Sequence, residues 1–195
     1  MNRPLDLTGL ILAGGRSRRF GEDKSRHVIN GRAMIEHVVE AVAVVAEVLL
    51  ISVGADGAEV DCPPIRQVVD RYADAGPLAG LHAGLAAAET PWLLAVACDM
   101  PFITPEVLRA LTAVRGPKVD AVVARSPDGR LHPLCACYHQ NIVPVVEAHL
   151  EAGTLAMHRL LDGLDHVKYV DLPAGPLRNV NRLSDLDRPE TLPPA

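Results

Sequence analysis

Apolar runs of about six residues alternate along this chain with segments whose apolar positions recur every three or four residues, the periods of buried strands and of amphipathic helices. Residues 7–13 are nearly all apolar, as expected of a strand buried on both faces of a parallel sheet. Residues 33–45 carry Met34, Ile35, Val38, Val39 and Val42 at helical spacing, and residues 48–53 read as a second buried strand. The rhythm continues with a strand ending at 67–69, an alanine-rich helix over 78–88, a strand over 92–97, a helix over 105–114 and a strand over 120–124. From Leu131 it changes. Residues 131–138 read as an antiparallel strand, followed by helices near 142–151 and 156–161 and a strand around 167–170. Strands alternating with helices predict an α/β fold: a Rossmann-like three-layer α/β/α sandwich, mostly parallel, with a late antiparallel strand. At 195 residues one domain accounts for the whole chain, and residues 186–195, rich in Pro and Asp, are expected to form a loose tail.

The first strand runs into Gly14 and Gly15, where the apolar pattern stops. Two glycines allow a tight turn that brings main-chain N–H groups close to an anion. From Gly14 to Arg26 there are five basic side chains, Arg16, Arg18, Arg19, Lys24 and Arg26, against Glu22 and Asp23, so the segment carries plus three in a chain of net charge −5. Such a local inversion of sign suits a bound polyanion, although a solvated basic loop shares the composition. Neither the Walker pattern nor GxGxxG is present, so the loop is not one of the two commonest phosphate-binding types.

Composition narrows the function classes. Aromatic residues make up 3% of the chain, which leaves few faces on which nucleic-acid bases could stack, and the acidic balance opposes binding to a phosphate backbone. Any nucleotide is therefore expected to be a small molecule rather than nucleic acid. No apolar run reaches the length of a membrane span and no leader pattern opens the chain, so a cytoplasmic protein without membrane contact is the expectation. Cys62, Cys98, Cys135 and Cys137 form no CxxC pair, and Cys135 and Cys137 would share one face of a strand, the pattern of buried, reduced thiols. The eight histidines show no metal-binding spacing.

Open parallel sheets bind ligands beyond the carboxyl ends of their strands, and four segments fall there. The first is the glycine loop. The second is Asp70-Arg71, followed by Gly76-Pro77-Leu78-Ala79-Gly80, in which Gly76 and Gly80 would let the backbone approach a ligand. The third is Cys98-Asp99-Met100-Pro101 and the fourth His132-Pro133-Leu134. Asp99 stands at the tip of a buried strand, and Thr104 with Pro105 behind it is the natural cap of the next helix, which leaves the carboxylate available for Mg²⁺, a hard cation that takes one or two carboxylates plus substrate phosphates.

The pattern LAGGxSxRxGxDK, formed by Leu12, Ala13, Gly14, Gly15, Ser17, Arg19, Gly21, Asp23 and Lys24, resembles the signature of the nucleotidyltransferases, and among them the molybdenum cofactor guanylyltransferases. CDMP at 98–101, GPLAG at 76–80, His132-Pro133 and Asn179-Val180-Asn181 extend the resemblance over most of the chain. It implies transfer of GMP from GTP to the terminal phosphate of molybdopterin, with pyrophosphate released. It further implies that Leu12, Ala13, Gly14, Gly15, Lys24, Asp70, Gly76, Gly80 and Asp99 bind the nucleotide, that Asp99 holds Mg²⁺, that Lys24 and Arg19 face the reacting phosphates, and that Asn179 and Asn181 bind the pterin substrate. Transient contact with other cofactor-biosynthesis proteins or acceptor apoenzymes would follow. The chain departs from the pattern at Val53-Gly54-Ala55, where relatives often carry an asparagine, and at Thr154-Leu155, where they often carry an arginine, a role left to Arg159. Two alternatives share these residues: a cytidylyl or sugar-phosphate nucleotidyltransferase, and a GTP-binding cofactor adaptor without turnover.

Overall fold

The computed structural model describes residues 6–13, 28–29, 31–55, 65–181 and 185. Nine strands and five α-helices lie in this part: β1 (Leu7–Leu12), β2 (Val28–Ile29), β3 (Arg32–Ala33), α1 (Met34–Ala43), β4 (Val48–Val53), β5 (Arg66–Val69), α2 (Pro77–Ala87), β6 (Trp92–Ala97), α3 (Pro105–Ala113), β7 (Ala121–Arg125), β8 (Leu131–His139), α4 (Val143–Glu151), α5 (Met157–Asp162) and β9 (Val167–Asp171). The basic loop from Gly14 to Arg26, Cys62 and the 186–195 tail lie outside the described residues.

Seven strands form one sheet in the order β5-β4-β1-β6-β8-β7-β9. β1 lies inside the sheet, parallel to β4 on one side and to β6 on the other. β8 is the late antiparallel strand that the sequence predicts, inserted between β6 and β7, and β9 closes the edge parallel to β7. The β7–β8 register shifts between Val123, opposite Ala136, and Ala124, opposite His132, so the additional residues of this irregularity lie on β8. β2 and β3 form a separate hairpin that the hydrophobic pattern does not reveal, since each strand has two residues and Val28 and Arg32 are exposed.

Side-chain alternation divides the core in two. Leu7 and Ile11 of β1, Leu94 and Val96 of β6, and Cys135 and Cys137 of β8 pack against α1 and α3 on one face. Leu10 and Leu12, Leu93 and Ala95, and Ala136 and Tyr138 pack against α2, α4 and α5 on the other. Sheet and two helical layers give the predicted sandwich. The helices begin and end within a residue or two of the sequence-based bounds, except that a 3-10 turn, Gln140–Ile142, leads into α4. No helix among the described residues is long and apolar enough to cross a membrane.

Burial decides the chemistry of the cysteines it covers. Cys135 and Cys137 are fully buried, and loss of hydration pushes both thiols up to about 12. Alkylation of the native protein at mildly alkaline pH is therefore expected to leave both unmodified, with labelling appearing only after denaturation; peptide mass spectrometry before and after unfolding checks this.

Candidate active site

Three parallel strands, β4, β1 and β6, run side by side, and their carboxyl ends are stitched together by the main chain. The Ala13 N–H donates to the Ser52 carbonyl at 3.1 Å, and the Cys98 N–H donates to the Leu12 carbonyl at 3.1 Å. Those bonds fix where the chain leaves β1 for the glycine loop. Leu12 is buried and Ala13 half-buried, so their side chains support this rim from beneath. Gly14, Gly15, Arg19 and Lys24 fall outside the described residues.

Asp99 follows β6 at the rim, next to the end of β1. It is half-buried, and its carboxylate Oδ1 accepts a hydrogen bond from the Asn179 amide Nδ2 at 3.0 Å. Its carbonyl accepts from the Val180 N–H at 2.8 Å. The Asn179-Val180 segment is thus clasped to Asp99 through both side chain and backbone, across eighty positions of sequence. Thr104, as the sequence predicts, caps α3 by accepting from the Val107 N–H, so the Asp99 carboxylate is not spent on the helix. Arg178 lies over the Phe102 ring at 4.4 Å, fixing the start of the same segment from the other flank. Asn181 is exposed and its N–H donates to Asp185 Oδ2 at 2.8 Å.

A single carboxylate held in this way fits a hexacoordinate cation that takes most of its oxygens from water and phosphate. It does not fit a cation caged by protein alone: among the described residues no group of three or more His, Cys, Asp or Glu side chains converges.

On the other side of β1, Asp70 follows β5, and its N–H donates to the Val53 carbonyl at 3.2 Å. Its Oδ1 accepts from the Ser52 hydroxyl at 2.7 Å. Burial pushes the Asp70 carboxyl above its ordinary value, opposed by the Ser52 hydrogen bond. Asp70 stands two strands from β1 and Asp99 one strand away on the opposite side, so three strand spacings of about 4.8 Å separate the strands that carry them. That spacing brackets the glycine-loop exit.

Gly76, the residue before α2, has φ of 61° and nothing within 4 Å of where a Cβ would stand, so it is the left-handed backbone and not crowding that calls for glycine there. Gly80 lies further along the helix and faces the sheet. A Cβ there would lie 2.5 Å from Ser52 Oγ and 2.7 Å from Leu12 Cδ2, so α2 makes a close approach to the sheet at this glycine, beneath the rim. His132, beside the turn that joins β7 to β8, is buried with Nε2 3.1 Å from Ser126 Oγ, and burial holds its ring below the usual histidine range. Arg159 is exposed on α5 and pairs with Asp162 at 3.7 Å. A residue of this rim that the sequence reading passes over is Ser52, the partner of Asp70; its signal is one hydroxyl within the apolar run LLISV.

Residues 9–167 match the family model of the MobA-like NTP transferase domain. The molybdenum cofactor guanylyltransferase of Vibrio cholerae is 31% identical over 177 residues, covering 89% of this chain and 85% of that protein. Among solved structures, molybdopterin-guanine dinucleotide biosynthesis protein A from Archaeoglobus fulgidus superposes with a TM-score of 0.70 at 24% identity, covering 92% of this chain and 95% of the other. The 2-C-methyl-D-erythritol 4-phosphate cytidylyltransferase of Thermus thermophilus does so with a TM-score of 0.67 at 20% identity, covering 92% and 95%. At such identities the superpositions speak for the fold alone, a fold that carries more than one base specificity.

Proposed function

Because this chain belongs to the MobA-like NTP transferase family, we propose that it transfers the guanylyl group of GTP to the terminal phosphate of molybdopterin. A phosphate oxygen of molybdopterin attacks the α-phosphorus of GTP, the bond from that phosphorus to the α–β bridging oxygen breaks, and pyrophosphate leaves with the electron pair. The product is molybdopterin guanine dinucleotide. The observation that supports this reading most directly is Asp99, held at the tip of β6 by Asn179 beside the glycine-loop exit.

No covalent protein intermediate is required, so the work of the protein is positioning and charge neutralisation. Mg²⁺ bound at Asp99 would offset the charge of the reacting phosphates. Asn179 keeps the Asp99 carboxylate pointed at the rim, a task upstream of the pterin contact that the resemblance implies for it. Main-chain N–H groups of Gly14 and Gly15 with the Lys24 ammonium hold the triphosphate, and the Arg19 guanidinium faces the leaving pyrophosphate; these four roles rest on the sequence pattern. Asp70, on the far side of β1, holds the nucleoside. Guanine is favoured over cytosine by the Gly14-Gly15 pair and by GPLAG at 76–80, both features of the guanylyltransferase pattern. A cytoplasmic location and transient contact with other cofactor-biosynthesis proteins or acceptor apoenzymes belong to the same reading.

Time-resolved pyrophosphate release with GTP, magnesium and a molybdopterin acceptor tests it. Release that depends on all three is expected. Tight GTP binding without release in the presence of acceptor would instead identify a nucleotide-binding adaptor.

A further inference from the structure

Ser52 sits in β4, is 1% exposed, and is the single hydroxyl in an otherwise apolar strand. A buried hydroxyl is costly unless it is hydrogen-bonded, and its partner is Asp70 Oδ1 at 2.7 Å, eighteen residues on and one strand over. The space that allows this is made by a third element. Gly80 of α2 lies directly over Ser52, and a Cβ at that position would stand 2.5 Å from the Ser52 hydroxyl oxygen and 3.3 Å from its Cβ. Strand, loop and helix thus converge to point one hydroxyl at one carboxylate.

Asp70 is half-buried, and among the described residues its other oxygen, Oδ2, has no hydrogen-bond partner. Its own N–H is fixed by the Val53 carbonyl, so neither backbone nor side chain can swing freely. We propose that Ser52 is the positioning residue for nucleoside recognition: it locks the Asp70 carboxylate so that Oδ2 meets the hydrogen-bond donors of the GTP nucleoside, with Gly80 supplying the clearance. This rests on the reading of the site as a GTP site. A carboxylate fixed in advance loses little conformational freedom when ligand arrives, which is the physical advantage of the arrangement.

The same bond governs ionisation. Burial raises the Asp70 carboxyl and the Ser52 hydroxyl lowers it, with no charged side chain contributing among the described residues. On β4 the group facing Asp70 is Ser52, on α2 the residue over that pair is the uncharged Gly80, and along its own loop Arg71 and Asp74 are exposed. Ser52→Ala removes the lowering influence only, so the carboxyl should take up its proton at higher pH and GTP affinity should be lost at higher pH on acidification.

The test has two arms. In ligand-free protein, the Asp70 carboxyl carbon is followed by NMR through an acid titration, and its midpoint is expected to rise in Ser52→Ala. Calorimetry then measures GTP binding to wild type, Ser52→Ala, Asp70→Asn and the double variant. Ser52→Ala is expected to weaken GTP about tenfold and to add almost nothing on the Asp70→Asn background. Inosine triphosphate, which lacks the exocyclic amine, and 2′-deoxy-GTP, which lacks a ribose hydroxyl, separate base from sugar: the analogue missing the donor held by Asp70 is the one whose binding Ser52→Ala leaves unchanged. An unmoved midpoint, or equal losses from Ser52→Ala with and without Asp70, overturns the proposal. Failure of the wild type to bind any GTP overturns the site reading instead, and the ligand-free midpoint still decides whether Ser52 governs Asp70.

Discussion

Asp99→Asn is expected to cut the rate of pyrophosphate release at least a hundredfold while leaving the melting temperature nearly unchanged. The variant keeps shape and volume, and its amide oxygen can still accept the 3.0 Å hydrogen bond from Asn179. The Val180 N–H still reaches the residue-99 carbonyl, so the clasp between β6 and the 179–181 segment survives. What disappears is one negative charge at the place proposed for Mg²⁺. Loss of one well-placed electrostatic group in a preorganised site costs about 2.7 to 4 kcal/mol of barrier, which is two to three powers of ten in rate. Steady-state kinetics beside a thermal melt separates this from a folding defect. A variant that turns over normally would remove the carboxylate from the chemistry.

Asp99 also shows how far the sequence could carry the site. Its position was legible because a buried strand announces itself by an apolar run and must end at the rim of the sheet, and because Thr104 already supplied the cap of α3. The same logic located Asp70 after β5. Its limits are those of distance along the chain. Nothing local to Asn179 says that its amide reaches a residue eighty positions earlier. The packing of Gly80 is hidden for a related reason: a glycine near the start of a helix signals close approach, but only the fold shows that Ser52 and Leu12 of the sheet lie against it. The β2–β3 hairpin escaped because strands of two residues carry too few positions to define a period. Sheet order is likewise a property of the whole chain. The antiparallel sense of β8 could be guessed from a broken rhythm at Leu131, whereas its insertion between β6 and β7 could not.

GTP with magnesium is expected to raise the melting temperature by about 5–10 °C at a hundredfold excess over its dissociation constant, with CTP, ATP and UTP giving far smaller shifts at the same concentration. Ligand at that excess contributes about 2.7 kcal/mol of stability, and a chain of this size gains about 2–4 °C for each kcal/mol. Selectivity of this kind follows when a site donates or accepts at fixed points, since the wrong nucleoside leaves a buried polar group unpaired. Asp70, with Oδ1 tied to Ser52, is one such fixed acceptor. Thermal shifts for the four nucleotides, measured on wild type and on Asp70→Asn, therefore carry two answers. If Asp70 reads the base, the variant loses the preference for GTP together with the affinity; if it holds the ribose, all four shifts shrink in proportion and the order persists. Stabilisation by CTP alone would contradict the guanine assignment and move the protein among the cytidylyltransferases that share its fold.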